Sequence, residues 1–352
     1  MKKTKILIEM KHGLGDCVCM LPAIRAVRDK FPDAYLALLI NGNANEEIFR
    51  HSGITIDKYY YFSLKKRSKL YTLKTLFALM KERFNIGIMA TMTPATKGKY
   101  LFKLLGISQC FGEQYNGIHF LDLDNKKHFV DRNLDVISSL TGVVTDKQPH
   151  LYVEKEERKI ERKLALVDGK SIVVNIGGAD KNYYKGNYVY TRNWNQKNMV
   201  KLVSMLAQLK EYNILLLGGK LEEGFLPNYK EILKTDNVYN FVNRTSISES
   251  IYILSKCICS IGVDTGMQHV ADALGKPTIS IFGPTNPVTH GAYSDKAIFV
   301  QCQPKMPCQY CFDTTVYYEC PDRKCLNSIS AEQVFYKVKD LINKWTKEIE
   351  PK

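Results

Sequence analysis

Short apolar runs separated by stretches with helical spacing recur along the whole chain. In the first half, residues 5–9, 35–40, 58–62 and 86–90 read as strands, while 17–31, 44–51 and 68–84 carry apolar positions at helical intervals. Residues 121–124 and a helix over 128–141 close that series. A strand at 171–176 opens a second series: a helix over 196–210, strands at 213–217 and 238–241, and a helix over 246–256. An apolar run at 257–263 then ends in Asp264-Thr265-Gly266, followed by a small-residue helix over 267–274, a strand at 278–282 and Gly283-Pro284-Thr285. An amphipathic helix spans 331–348. Strands alternating with helices predict βαβ units and mostly parallel sheets, the α/β class. The charge-dense stretch Glu154-Lys155-Glu156-Glu157-Arg158-Lys159-Ile160-Glu161-Arg162-Lys163 is the best linker, which divides the chain into two Rossmann-like domains, 1–155 and 156–330, and a terminal segment, 331–352.

Composition supports this division. The 352 residues are too many for one typical core and suit two domains. No apolar run approaches the roughly 18 residues of a membrane span. The start, MKKTKILIEM, reads as a first strand and not a signal peptide, so a cytoplasmic protein is expected. Fifty Lys and Arg against 36 Asp and Glu leave a net charge of +14, which favours a polyanionic partner. The lysines are scattered, and no helix-turn-helix, RNA-recognition or zinc-finger pattern appears, which sets nucleic acid aside. An anionic membrane surface or an anionic saccharide accounts for the charge at least as well.

Two turns carry candidate chemistry. A strand that stops at glycine and opens a helix, as around Asp264-Thr265-Gly266, leaves unpaired N–H groups at the positive end of a helix dipole, a site suited to phosphate. The plain alternative is an ordinary strand-to-helix turn in which Asp264 caps the helix and His269 is a core histidine. The first strand ends in Lys11-His12-Gly13-Leu14-Gly15-Asp16, which places Asp16 at a helix start, either as a base or as a cap.

Taken together, GLGD followed by LPAIRAVRDKFPDA, Ile176-Gly177-Gly178-Ala179, Arg192-Asn193-Trp194, Gly218-Gly219-Lys220-Leu221-Glu222, and the run from Asp264 to Pro287 resemble glycosyltransferase family 9, the bacterial ADP-heptose:lipopolysaccharide heptosyltransferases. The resemblance runs in order over nearly the whole chain. It implies a GT-B fold: two Rossmann-like domains facing a central cleft, acceptor on the first and nucleotide sugar on the second, with the terminal helix packing back toward the N-terminal domain. It also implies an inverting transfer of heptose from ADP-heptose to a lipopolysaccharide inner-core acceptor (Kdo or heptose) at the inner membrane's cytoplasmic face. Alternatives are another nucleotide sugar, a protein acceptor of the autotransporter type, or a catalytically silent nucleotide-sugar-binding protein on the same fold.

Under this resemblance Asp16 is the general base and Arg192 supports phosphate charge. Gly15, Gly178, Glu222, Asp264, Thr265, Gly266, Met267 and His269 line the donor site, with Glu222 on the ribose hydroxyls. Lys11, His12, Arg25, Lys66 and Arg67 are acceptor candidates; the run Lys65, Lys66, Arg67, Lys69 and Lys74 reads equally as a solvated face. No Asp-x-Asp pair stands out, so catalysis is expected to need no metal. Residues 180–190, rich in Lys and Tyr, form a longer loop than the family's, either over a ligand or in solvent.

The cysteines divide into two groups. Cys17, Cys19, Cys110, Cys257 and Cys259 sit in apolar surroundings and read as core thiols. Cys308, Cys311, Cys320 and Cys325, with Cys302 spare, form a cysteine-rich loop over 302–325 that is either a structural zinc or iron site or a set of reduced thiols.

Overall fold

The computed structural model describes residues 3–62, 68–91, 93, 95–113, 120–121, 126–153, 171–178, 181–185, 187–312 and 314–349. The chain divides into two compact units, Met1–Tyr152 and Val153–Lys352.

The first unit alternates β1 (Lys5–Met10), α1 (Leu14–Lys30), β2 (Tyr35–Ile40), α2 (Asn43–Arg50), β3 (Lys58–Tyr61), α3 (Lys69–Glu82), β4 (Ile86–Met89), α4 (Ala95–Leu104), β5 (Gln109–Glu113), β6 (Phe120–Leu121) and α5 (Phe129–Thr141). Its six strands run parallel in the order β3-β2-β1-β4-β5-β6, with Leu7 opposite Ala37 on one side and Gly87 on the other. Ile6, Leu7 and Ile8 of the central strand are fully buried, as expected where helices cover both faces of a parallel sheet. Chain order reverses between β1 and β4, and the crevice beyond the carboxyl ends of those strands is where such sheets bind ligands.

The second unit repeats the plan. It contains β7 (Ser171–Asn175), β8 (Lys181–Tyr184), β9 (Asn187–Tyr190), α6 (Gln196–Ala207), β10 (Asn213–Leu217), β11 (Val238–Asn240), α7 (Ile247–Lys256), β12 (Cys259–Val263), α8 (Gly266–Ala273), β13 (Thr278–Ile281), α9 (Pro287–His290), β14 (Ala297–Val300), α10 (Thr315–Glu319), α11 (Lys324–Asn327) and α12 (Ala331–Ile349). The main sheet is again parallel, in the order β11-β10-β7-β12-β13-β14, so its reversal lies between β7 and β12. Ala331, Val334 and Val338 of α12 are fully buried in this unit's core with Leu202 and Leu206 of α6.

Three stretches depart from the sequence reading. Residues 180–190 are not a plain loop: β8 and β9 pair antiparallel, from Lys181 opposite Tyr190 to Tyr184 opposite Asn187. Tyr and Val favour extended backbone, and the turn is made at Lys185 in the left-handed region beside Gly186. The α4–β5 segment was not anticipated, because Gly98 interrupts the helical pattern. A Cβ there would fall 1.4 Å from the Met89 sulfur, so glycine lets α4 pack directly on that side chain. The polar segment after β10 is wound into 3-10 turns at Glu222–Tyr229 and Ile232–Lys234. The linker expected at 154–163 lies outside the described residues.

Candidate active site

At the first reversal point, β1 delivers Lys11, His12 and Asp16 to the start of α1. Asp16 is not the N-cap. Gly13 holds that position, and Asp16 sits three residues on, its Oδ2 accepting the Gly13 amide at 2.9 Å. Asp16 therefore closes the first turn and also lines a small pocket, of about 10 Å³, with Met10, His12, Thr91 and Asn133. His12 Nε2 lies 2.7 Å from Thr93 Oγ1, and Thr93 in turn donates to Glu9. Glu9 is buried at the end of β1 and pairs with Lys11 at 3.5 Å. Asn45 of α2 donates to the His12 carbonyl at 2.9 Å, and Asn133 of α5 accepts the Thr91 amide at 3.3 Å.

Sequence reading found Lys11, His12 and Asp16 but missed Glu9, Asn45, Thr91, Thr93 and Asn133. Glu9 interrupts an otherwise apolar strand, and a lone acid at a strand's carboxyl end was the available signal. Gly15 lies in the first turn of α1. Arg25 lies further along α1, where it pairs with Asp146 at 3.6 Å. Lys66 and Arg67 fall outside the described residues.

At the second reversal point, β12 ends in Asp264. The cap of α8 is Thr265, whose hydroxyl accepts the Met267 amide at 3.1 Å, so Asp264 does not cap the helix. Asp264 is buried and instead accepts from Arg192 at 3.0 Å and from Thr285 at 2.7 Å. Arg192 is thereby held against the carboxyl end of β12. Trp194 anchors this segment: it is buried in the core, and its indole N–H donates to the Ile329 carbonyl at 3.1 Å. Between them Asn193 accepts the Gly178 amide at 2.5 Å, while its own buried Nδ2 makes no hydrogen bond.

Glu222 is 2% exposed and accepts the Gly219 amide at 2.8 Å. It fits because two glycines make room: a Cβ on Gly177 or on Gly218 would stand 2.7 Å from its side chain. Gly178, Glu222, Asp264, Thr265, Gly266 and Met267 thus meet at the ends of β7, β10 and β12. His269 lies one turn into α8 and is half-buried. A diphosphate at this helix start would meet its positive dipole end, and would compete with Thr265 for the Met267 amide.

The five cysteines read as core thiols are all buried. In the other group, Cys302 and Cys325 belong to the second unit's core, Cys311 and Cys320 are half-buried, and Cys308 is exposed. Burial first, and then the neighbouring thiols of Cys302, Cys311, Cys320 and Cys308, together push the Cys325 thiol up to about 12. The loop therefore gathers its sulfurs within electrostatic range of one another. Among the described residues, however, no three or more of His, Cys, Asp and Glu are grouped to hold a metal ion. The tetrahedral site read from Cys308, Cys311, Cys320 and Cys325 is accordingly not formed by these side chains as they stand.

Comparison with known proteins places these features. The model of glycosyltransferase family 9 (heptosyltransferase) matches residues 109–320. A lipooligosaccharide heptosyltransferase 2 of Campylobacter jejuni is 24% identical over 353 residues, covering 96% of this chain and 98% of its own. Among solved structures, the ADP-heptose lipopolysaccharide heptosyltransferase II of Escherichia coli superposes with a TM-score of 0.75 at 16% identity, covering 97% of this chain and 100% of that one. The iron-containing dodecameric glycosyltransferase TibC of enterotoxigenic E. coli gives 0.56 at 13% identity, covering 98% of this chain and 77% of that one. The two parallel α/β units are those of the GT-B fold. With a family model matched over more than half its length, the chain belongs to glycosyltransferase family 9 and is a glycosyltransferase.

Proposed function

We propose that this enzyme transfers heptose from ADP-heptose, with inversion, to an anionic inner-core sugar of a lipid-linked saccharide on the cytoplasmic side of a membrane. Family membership and full-length relatives bearing heptosyltransferase names support the reaction. The net charge of +14 supports an anionic acceptor at a membrane surface. The observation that carries the reading is the pairing of chemistries at two equivalent reversal points: a carboxylate in a pocket after β1, and a helix start beside a held arginine after β12.

In this reading Asp16 accepts the proton of the acceptor hydroxyl as that oxygen attacks the anomeric carbon and the bond to the ADP oxygen breaks. Lys11 and His12 beside it orient an anionic acceptor; Arg25, Lys66 and Arg67 are further acceptor candidates. The leaving diphosphate gains charge, which the Thr265–Met267 helix start and Arg192 stabilise. Asp264 positions Arg192, Gly178 lets the backbone approach the nucleotide, and Glu222 serves the ribose. Gly15 and His269 complete the donor set. No step needs a metal. Residues 1–155 would then be the acceptor domain and 156–330 the donor domain.

Mass spectrometry of products from a panel of nucleotide sugars and truncated acceptors tests this directly. Heptose added to a Kdo or heptose acceptor is the expected result. Transfer only to a protein hydroxyl would favour the autotransporter-type alternative, and donor binding without any product would favour a silent binder. As a separate part of the proposal, the thiols of Cys308, Cys311, Cys320 and Cys325 bind a structural zinc or iron after local rearrangement, a reading supported by their soft donor chemistry and mutual proximity. Elemental analysis of protein purified without chelators checks it; near-zero zinc and iron would end it.

A further inference from the structure

On helix α3, large apolar side chains face outward in a row. Its inner face is ordinary: Thr72, Thr75 and Leu79 are buried, the last in the cluster with Phe84, Phe102 and Leu105. Its outer face is not, because Leu70, Leu73, Phe77 and Met80 are 63%, 51%, 62% and 40% exposed. At helical spacing these four fall in one stripe about 80° wide. Lys69 borders the stripe on one side, and Lys81 and Lys74 border it on the other, each within about 40° of its edge. All three lysines are exposed.

The helix has no acid in its first turn. Its single carboxylate, Glu82, faces away, accepting from Lys5 and Tyr60. The outward face is therefore apolar in the middle, cationic at both edges and free of negative charge. Helix α4 shares the same buried cluster through Phe102, and adds exposed Tyr100, Leu104 and Lys103.

We propose that this face of α3 is a docking surface for an anionic lipid bilayer, lying in the headgroup plane with Leu70, Leu73, Phe77 and Met80 dipped into the acyl boundary. Charge decides between occupants. A second copy of the chain carries a net +14 and would meet these lysines unfavourably, whereas lipid phosphates meet them favourably. The flanking lysines bury their stems along the apolar stripe while their ammonium groups reach the headgroups, the arrangement of interfacial helices. The inference gives a location to the membrane contact of the preceding subsection and rests on that reading for its biological sense.

The test is co-sedimentation of the full chain with vesicles of phosphatidylglycerol and phosphatidylethanolamine, and with vesicles of phosphatidylcholine alone. Binding to the anionic vesicles is expected to drop roughly tenfold or more in Leu73→Glu/Phe77→Glu, since both burial and charge then oppose insertion. Wild-type binding to phosphatidylcholine should be comparably weak. Should that variant fail to fold, Leu70→Gln/Met80→Gln keeps helix-forming residues at exposed positions and is expected to move in the same direction. Variant binding equal to wild type overturns the proposal. So does a wild-type dimer, seen by sedimentation velocity and broken by the variant, in protein that ignores vesicles. Transfer to a soluble, delipidated acceptor is measured alongside and should be unchanged in the variant. Its absence in the wild type would count against the heptosyltransferase reading without touching the vesicle result.

Discussion

The two reversal points of this enzyme share a topology and differ in chemistry. Both follow the third strand position of a 3-2-1-4-5-6 parallel sheet, at β1/β4 and at β7/β12. After β1 the polar groups are ionisable and linked to one another: Lys11 to Glu9, Glu9 to Thr93, Thr93 to His12, with Asp16 across the pocket. After β12 the groups form a cradle: glycines beside Glu222, a threonine-capped helix start, and Arg192 tied to Asp264. Under the proposed function the first arrangement moves a proton and the second holds the diphosphate. Topology sets where chemistry is placed, and the strand-end residues set which chemistry it is.

Substitutions at the two points should break this comparison in different ways. The largest effect is expected at Asp16: Asp16→Ala should lower kcat by about 10²–10⁴, the usual reach of a general base, as measured by product formation at saturating donor. At the second point Arg192→Ala should lower transfer by about 10²–10³ through lost charge stabilisation. It should also destabilise the protein by about 2 kcal/mol, because Asp264 stays buried without its cation. The figure is below the roughly 3–5 kcal/mol of a fully buried pair, since Arg192 is a quarter exposed. Chemical denaturation separates this from the kinetic effect.

Smaller changes sharpen the cradle. Gly177→Ala should push Glu222 aside, costing about 1–3 kcal/mol and raising the donor KM while leaving the base intact. Thr265→Ala should cost about 1 kcal/mol through the lost cap, read by thermal unfolding. The smallest effect concerns Cys325 in the metal-free protein. Its thiol is raised from an ordinary value of 9.0 to about 12 in the folded state, so the protonated form is the one folding favours. The stability this contributes is fully present below about pH 9 and is lost as pH rises through about 12. Between pH 8 and 9.5 the loss should be under about 1 kcal/mol, and Cys325→Ala should flatten that part of the pH–stability curve.

Much of the fold was legible from pattern alone. Strands at 35–40 and 213–217 appear where apolar runs placed them, because a parallel strand covered on both faces must be continuously apolar. What the pattern could not give was local pairing. The β8–β9 hairpin has polar residues among its tyrosines, and α4 carries a glycine that packs on the Met89 side chain. The site was half legible. Asp16 and the Asp264–Gly266 turn stand at strand-to-helix junctions that glycines advertise. Glu9, Asn45 and Asn133 converge from three separate elements, and no local spacing marks such a meeting. The sequence also left open which residue caps α8; geometry assigns that to Thr265 and gives Asp264 to Arg192.

The division of labour itself is tested most directly by titrating ADP into Asp16→Ala by calorimetry, beside the wild type. If the first point moves the proton and the second holds the nucleotide, ADP affinity should stay within about twofold while transfer is lost. Affinity falling in step with transfer, or normal transfer by this variant, would contradict the assignment.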